Sequence, residues 1–336
     1  MAHNLLRGFV ALLGAGVACT CVAAPTYGVV GHIALPDSRW DYGAVDTAAA
    51  RLYLGRIGGV LAVDLPTGAV TATLVASALV HGVAPLGAGL VMSTNGEADT
   101  VTLFEGATGR VLATIPAGKE PDAIVREPST GLVITTNEGS HDLTLIDVTL
   151  RRAVGRISLP GKPEYPAAGP HGILYDNIED RNEIAVVDIV ARRVVRTIAL
   201  DGCQRPTGLA YDAQDDLLIS VCRNGVAKFV RATDGHDVAT VPVGANPDAV
   251  LFDAARHLAF VPAGGTGTLT VLAVHGATVT LVQTLVTRLG SRTAVLDPTT
   301  GRLYVPAAEF EAPAGPESRP AGRAGSFELL VIGSTP

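Results

Sequence analysis

Hydrophobic and polar residues alternate along most of the chain in short runs that come in pairs. Each pair consists of two runs rich in β-branched residues around a turn, which is the pattern of a β-hairpin. Six such hairpins resemble one another and lie at residues 59–74, 99–115, 141–157, 182–198, 224–241 and 267–285. Their equivalent positions, 41 to 43 residues apart, are Val60, Val101, Leu143, Ile184, Val226 and Leu269. That period is typical of the four-stranded blades of a β-propeller.

A second pair of runs precedes each hairpin, so the repeat contains four antiparallel strands. Six complete copies span about 39–285, and a seventh occupies 292–307 and 327–333 but ends one strand short. The segment 29–36 copies the fourth strand at 153–160, yet no first three strands precede it. An added strand there would remove an exposed sheet edge. We therefore predict an all-β fold, a seven-bladed β-propeller whose ring is closed by the N-terminal strand.

Composition agrees with this prediction. The chain has 336 residues, with 38 Gly and 21 Pro for turns, 48% hydrophobic residues and only 17% charged residues. This is the composition of many short buried strands rather than of amphipathic helices. The period is broken once, between Pro306 and Phe327, by a segment rich in Pro, Gly and Ser. We predict a flexible surface insertion at about 308–326 within a single domain spanning 25–336.

The first 24 residues are predicted to be a secretory signal peptide. They carry a positive charge at Arg7, an apolar stretch over 8–18 and small residues before Pro25. Cleavage is expected after Ala23 or Ala24, and a lipid anchor on Cys19 is the alternative. No later stretch reaches the roughly 18 consecutive apolar residues needed to cross a bilayer. The mature protein is expected to be a soluble monomer in the periplasm or outside the cell.

The charge balance is acidic. The formal net charge is −7 and becomes one unit more negative when Arg7 is removed with the signal peptide. Nucleic acids bind basic surfaces, so nucleic acid is not an expected partner.

A short motif recurs at the second and third strands of the repeats. Its clearest copy is LVITTN (132–137) followed by LTLID (143–147), and weaker copies lie at 90–95, 184–188 and 60–64. These segments resemble the YVTN-repeat (YncE-like) seven-bladed β-propellers of exported bacterial proteins, over essentially the whole mature chain. No blade carries Tyr-Val-Thr-Asn intact, and 52–56 and 303–307 lack the Asn. The resemblance implies that these positions stabilise blades.

The resemblance implies little about activity. Members of the family look like ligand or nucleic-acid binders, and related seven-bladed folds include lactonases and amine-dehydrogenase subunits. Fold alone does not decide among these functions.

Two cysteines remain after the signal peptide, Cys203 and Cys222. Cys203 precedes the innermost strand of its blade, and Cys222 ends the next strand. Because the two strands are antiparallel, both residues fall at the same end of the blade. In an oxidising compartment we expect them to form a disulfide, and a free buried pair is the alternative.

Superposing the repeats places one residue of each blade at the start of its innermost strand, where the axial channel of a propeller opens. These residues are Asp41, His81, Asp122, Glu164, Thr207, Asp248 and Arg292, and their flanking residues are Arg39, Trp40, Glu120, Tyr165 and Arg205. We predict that they form a ligand-binding channel mouth. The alternative is that the acidic residues only cap strand ends in solvent.

The cofactor is unknown, and a divalent cation is a candidate because several carboxylates converge on the mouth. The candidate metal ligands are Asp41, His81, Asp122, Glu164 and Asp248. Oxygen ligands alone would favour a Ca²⁺-like cation, whereas His81 would favour a zinc-like ion. Arg292, Arg39 and Arg205 would instead balance the acidic charge from within the protein.

Three functions fit these observations. The motifs of zinc proteases, serine hydrolases, phosphate-binding loops and covalent haem attachment are absent from the sequence. The favoured hypothesis is a binding or scaffold protein that holds a small ligand, a cation or a partner chain at the mouth. The second is a lactonase-like hydrolase that uses the axial carboxylates and His81. The third is an accessory propeller of a periplasmic redox system.

Overall fold

The computed structural model describes residues 26–311 and 322–335, which form 27 strands and one 3₁₀ helix, Gly96–Ala98. The strands make seven antiparallel sheets, and each sheet is one blade of a β-propeller. The predicted signal peptide and residues 312–321 of the predicted insertion lie outside the described residues. No helix in the described part of the chain is long and apolar enough to cross a membrane.

The strands are numbered β1 to β27 in chain order. The first, β1, is Thr26–Ala34. Blade 1 contains β2 (Trp40–Asp46), β3 (Arg51–Asp64) and β4 (Val70–Leu79). Blade 2 contains β5 (Val83–Gly87), β6 (Leu90–Asn95), β7 (Thr100–Glu105) and β8 (Val111–Pro116). Blade 3 contains β9 (Pro121–Arg126), β10 (Val133–Asn137), β11 (Asp142–Asp147) and β12 (Arg152–Ser158).

The remaining four blades follow the same order. Blade 4 contains β13 (Pro163–Ala168), β14 (Ile173–Ile178), β15 (Glu183–Asp188) and β16 (Arg193–Ala199). Blade 5 contains β17 (Pro206–Asp212), β18 (Leu217–Cys222), β19 (Val226–Arg231) and β20 (Asp237–Pro242). Blade 6 contains β21 (Leu251–Asp253), β22 (Leu258–Ala263), β23 (Thr268–His275) and β24 (Thr278–Val286). Blade 7 contains β25 (Val295–Asp297), β26 (Arg302–Ala307) and β27 (Glu328–Thr335), with β1 as its fourth strand.

Blade 1 has four strands although its extended segments number three. β2 pairs with the first half of β3, and β4 pairs with the second half. The amide of Leu65 donates to the carbonyl of Ala50 at 3.0 Å, so the two halves of β3 fold back on each other. At the bend, Gly58 and Gly59 have φ values of 90° and 135°, a region that side chains other than glycine rarely adopt.

The N-terminal strand closes the ring, as the sequence predicts. β1 pairs antiparallel with β27 from Thr26 opposite Thr335 to Ala34 opposite Glu328. The Tyr27 side chain is buried and packs edge-to-face against Phe260 of blade 6, with 5.1 Å between ring centroids. β1 therefore joins the last blade to its neighbour as well as covering the edge of β27.

The hydrophobic core is divided among the contacts between neighbouring blades. The second and third strands of the blades are buried almost throughout, because each lies between two adjacent sheets. In one such layer, Ile134 and Leu145 of blade 3 pack against Leu174 and Val187 of blade 4. The outermost strands consist mainly of exposed and half-buried residues, since one face meets solvent.

The recurring Thr-Asn motif stabilises the blades through side-chain hydrogen bonds. Thr94 donates to the carbonyl of Asp122 in the next blade at 2.8 Å, and Thr136 donates to that of Glu164 at 3.3 Å. The amide of Asn137 donates to the Asp142 carboxylate at 2.8 Å and so closes the turn between the second and third strands. The threonines therefore fix the position of the next blade's innermost strand.

Cys203 and Cys222 form a disulfide, as expected from their positions, with their Cα atoms 5.5 Å apart. The bridge ties the start of blade 5 to the end of its second strand. Both residues are buried, and Cys222 is followed directly by Arg223, which lines the channel mouth.

Candidate functional site

The strand register places the seven predicted mouth positions at one level of the ring. Asp122 lies three residues before Val125, which pairs with Ile134 near the middle of the second strand. The same three-residue offset holds in the other six blades, for example from His81 to Ala84 and from Arg292 to Val295. Seven side chains of unlike chemistry therefore start from equivalent backbone positions around the axis.

A cavity of about 680 Å³ opens at this level. Eight of the predicted site residues line it: Arg39, Trp40, Asp41, His81, Asp122, Glu164, Asp248 and Arg292. Asp122, Glu164 and Asp248 are buried, whereas Asp41 and His81 are half-buried. We call this cavity the mouth.

Four other predicted residues do not line the mouth. Glu120 is exposed. The guanidinium of Arg205 binds the carboxylate of Glu179 at 2.7 Å rather than facing the cavity. Thr207 is buried and donates its hydroxyl to the carbonyl of Pro247 at 2.9 Å, so it joins blades 5 and 6. Tyr165 lines a second cavity instead.

His81 sits between two carboxylates. Its Nδ1 is 2.7 Å from Oδ2 of Asp41 and 3.4 Å from Oδ1 of Asp122. Burial alone would lower the pKa of His81, but the hydrogen bond to Asp41 and the charges of both carboxylates raise it to about 9. His81 is therefore an imidazolium at neutral pH and acts as an internal counterion.

Two arginines lie beside carboxylates of the mouth. Nε of Arg292 lies 2.6 Å from Asp248, and its Nη2 lies 3.6 Å from Asp41. Nη2 of Arg223 faces both Glu164 at 3.9 Å and Asp248 at 4.0 Å. Burial raises the pKa of Asp248, and the charge of Arg292 limits that rise.

Sequence reasoning missed the charged residues that follow the second strands. Glu138 and Arg223 line the mouth, and Glu179 is buried beside it. The equivalent residues of other blades include Gly96 and Gly264, so no shared residue type marks the position. The available signal was spacing: each lies one residue past a recurring second strand.

Three positively charged side chains contact the carboxylate of Glu179. Lys162 Nζ lies 2.8 Å from one carboxylate oxygen, while Arg205 and Arg223 approach the other at 2.7 and 3.3 Å. Burial would raise the pKa of Glu179, but the hydrogen bond from Lys162 and the neighbouring positive charges lower it. Lys162 also reaches Glu138 at 3.2 Å and so links this buried cluster to the mouth.

The wall formed by blades 3 and 4 is acidic. One carboxylate oxygen each from Asp122, Glu138 and Glu164 lies within 4.8 Å of the other two. Burial and the nearby carboxylates raise the pKa values of Asp122 and Glu164 well above their usual range. Oε2 of Glu164 is buried without a hydrogen-bond partner among the described residues. A second acidic group, which joins Asp41 and Asp122 to His81, already contains its own positive charge.

Two tyrosines contact each other across the axis of the ring, next to the mouth. Tyr42 of blade 1 and Tyr165 of blade 4 come from opposite sides of the ring, and their ring centroids are 4.9 Å apart. Burial raises the pKa values of both phenols, so both are neutral at physiological pH. Both tyrosines also line a second cavity of about 320 Å³, whose other lining residues are apolar and include Val250, Leu251 and Leu296.

The comparisons with known proteins bear on the fold. No protein-family model matches the chain, and neither does any curated protein. Among solved structures, the chain is similar to a chain of hydrazine synthase from Kuenenia stuttgartiensis, with a TM-score of 0.71 and 16% sequence identity. The alignment covers 87% of this chain and 96% of that chain. At this identity the similarity shows the seven-bladed β-propeller fold alone.

Proposed function

We propose that the chain is an exported binding protein of the YVTN-repeat type that holds a small charged molecule in the mouth. The observation that carries this proposal is the mouth itself, a cavity lined by side chains of both charges. Its charged side chains project from strand ends that the blade-to-blade hydrogen bonds hold in place. A site preorganised in this way loses little entropy when a ligand binds.

The chemistry of the walls suggests the ligand class. Arg223 and Arg292 present guanidinium groups to the mouth, and Asp122, Glu138 and Glu164 present carboxylates to it. A small molecule that carries both a carboxylate and a cationic or hydroxyl-rich group would pair with both kinds of side chain. A bare cation or a segment of a partner chain would meet only part of this lining.

Family and location are parts of the same proposal. The Thr-Asn positions make the blade-stabilising contacts that the YVTN resemblance implies. The Cys203–Cys222 disulfide is compatible with a periplasmic or secreted protein.

The alternative function is a lactonase-like hydrolase, and the three-carboxylate group at Asp122, Glu138 and Glu164 is the observation that favours it. His81 does not support a role as general base, because an imidazole with a pKa of about 9 already carries its proton at neutral pH. A hydrolase would therefore need a metal-bound water as its nucleophile. The accessory redox function stays a hypothesis based on the resemblance.

The single tryptophan gives a direct test. Trp40 lines the mouth, so its fluorescence reports binding there without a label. We would titrate the protein with amino acids, dicarboxylates, polyamines and aldonolactones, and assay the lactones for hydrolysis. We expect a saturable fluorescence change with at least one class and no turnover of lactones.

A pair of arginine variants makes the test specific. Arg292→Gln removes a guanidinium from the mouth. Arg110→Gln removes an exposed guanidinium beside Glu105, in the turn between β7 and β8 and outside the mouth lining. The affinity should fall at least tenfold in the first variant and stay unchanged in the second. Equal responses in both variants, or no response to any probe, would refute binding at the mouth.

A further inference from the structure

We infer that Asp122, Glu138 and Glu164 form the protein side of a Ca²⁺ site on the acidic wall of the mouth. This inference rests on the proposed function, because the ion would form part of the surface that meets the ligand. It adds Glu138 to the candidate ligands and leaves out Asp41, His81 and Asp248.

The spacing of the three carboxylates suits one ion. Ca²⁺ binds oxygen at about 2.4 Å, so two oxygens on opposite sides of it are about 4.8 Å apart. The three oxygens lie within 4.8 Å of one another, so a small approach of the side chains would let all of them contact one ion. Mg²⁺, with oxygens at about 2.1 Å and a stricter octahedral geometry, would need a closer approach of the three side chains. The ligand set contains no nitrogen or sulfur, which also favours a hard cation.

A second observation points to a missing partner. The side chain of Glu164 is 6% exposed, and its Oε1 faces Arg223 at 3.9 Å, beyond hydrogen-bond distance. Its Oε2 is buried without a hydrogen-bond partner in the described part of the chain. A buried carboxylate oxygen without a partner is costly, and coordination of a cation would remove that cost.

The other acidic groups of the mouth already have positive partners. Asp41 binds His81 at 2.7 Å, and Asp248 binds Arg292 at 2.6 Å. These pairs compensate the charge internally, and of the arginines predicted for that role Arg292 is the one that contacts a mouth carboxylate. The group at Asp122, Glu138 and Glu164 has Lys162 at Glu138 and His81 at Asp122, while Arg223 lies 3.9 Å from Glu164, beyond hydrogen-bond distance. Of the mouth carboxylates, Glu164 therefore has the most distant positive partner.

The neighbouring structure would hold the ligands in place. Thr136 donates to the backbone carbonyl of Glu164, and Lys162 contacts Glu138 while it is anchored on Glu179. Asp122 and Glu164 start adjacent innermost strands, and Glu138 follows the second strand that lies between them in the chain. Three side chains supply fewer oxygens than the six to eight that Ca²⁺ takes, so water or a ligand carboxylate would complete the shell from the cavity.

The test is calorimetric titration of CaCl₂ into the full mature protein after dialysis against a chelator. We expect one Ca²⁺ per chain, a rise in the melting temperature with Ca²⁺, and at least tenfold weaker binding of Mg²⁺. Glu164→Gln, which keeps the shape of the side chain, should weaken Ca²⁺ binding at least tenfold, and Glu138→Gln should do the same if Glu164→Gln fails to fold.

The matched control is Glu120→Gln. Glu120 is exposed and lies two residues from Asp122, so its removal changes the local charge by the same amount without removing a ligand. Ca²⁺ affinity should change less than threefold in this variant. Equal weakening in Glu120→Gln and Glu164→Gln would overturn the inference, because it would indicate diffuse screening rather than a site. Absence of Ca²⁺ heat in the wild type, or tighter binding of Mg²⁺, would also overturn it.

This result is separable from the proposed function. If the protein binds Ca²⁺ but no organic probe changes the Trp40 fluorescence, the proposed ligand is refuted and the cation site is supported. If an organic probe changes the Trp40 fluorescence of chelator-treated protein and that protein binds no Ca²⁺, the proposed function is supported and the cation site is refuted.

Discussion

Closure of the ring by β1 leads to a quantitative prediction about stability. The perturbation is deletion of residues 26–34, compared with the single substitution Tyr27→Ala. Tyr27 is 4% exposed, packs on Phe260, and exchanges two backbone hydrogen bonds with the Gln283 side chain at 2.8 and 2.9 Å. Removing a buried aromatic side chain costs about 3 kcal/mol, so we expect that loss in the free energy of unfolding for Tyr27→Ala.

The deletion should cost more than the substitution. The ladder of β1 with β27 contributes hydrogen bonds, but ordering nine residues opposes them with a similar entropy cost. What remains is side-chain burial, about 3 kcal/mol from Tyr27 and about 2 kcal/mol from the partly buried Ile33. We therefore expect a total loss of about 5 kcal/mol, together with self-association through the uncovered edge of β27.

Urea unfolding followed by circular dichroism measures the loss, and size-exclusion chromatography measures association. Val30→Ala is the control from the same strand, because Val30 is 48% exposed and should change stability by less than about 0.5 kcal/mol. If the truncated chain is monomeric and has the wild-type urea midpoint, the reasoning about closure is wrong.

Three further predictions concern the bridge, the mouth and the blade contacts. Cys203 and Cys222, which are 19 residues apart, should both resist alkylation in the native protein, and two freely alkylated thiols would contradict the disulfide. Replacing both cysteines by alanine should lower the free energy of unfolding by about 3 kcal/mol. His81 has a pKa of about 9 against an ordinary 6.5, so its stabilising contribution, at most about 3 kcal/mol, is complete below pH 6.5 and lost as the pH rises to about 9. The stability difference between wild type and His81→Gln should shrink across that range in urea unfolding, and a constant difference would refute the assignment. Thr136→Val should cost about 1 to 3 kcal/mol in the same assay, because it leaves the amide of Ala123 without its 3.0 Å acceptor; an unchanged midpoint would contradict that role.

The sequence was sufficient for the blades because their period is local. A repeat of 41 to 43 residues specifies four strands, and the isolated copy of an outer strand at 29–36 specifies how the ring closes. The positions from Asp41 to Arg292 were found at one level because the same register recurs in each blade. The insertion at about 308–326 stays a prediction from the break in period, and in its described flanks Trp40 packs against Phe310 and Phe327.

The rest of the site depends on contacts that no single repeat contains. Glu138, Glu179 and Arg223 occupy a position where blades 2 and 6 carry glycine, so the repeats share no residue type there. Tyr42 and Tyr165 meet across the axis from blades 1 and 4, which are far apart in the chain. The prediction that Arg205 faces the mouth did not anticipate Glu179, whose buried carboxylate attracts that guanidinium instead. Such pairings depend on distances across the ring.

The Tyr42–Tyr165 contact spans the axis of the ring, and Tyr42 lines both the mouth and the second cavity. A ligand in the mouth would therefore touch a side chain that also borders the second cavity. The second cavity is lined by apolar side chains of the innermost strands of blades 1, 6 and 7. Occupancy of either cavity would act on the same aromatic pair, so binding in one would be coupled to binding in the other.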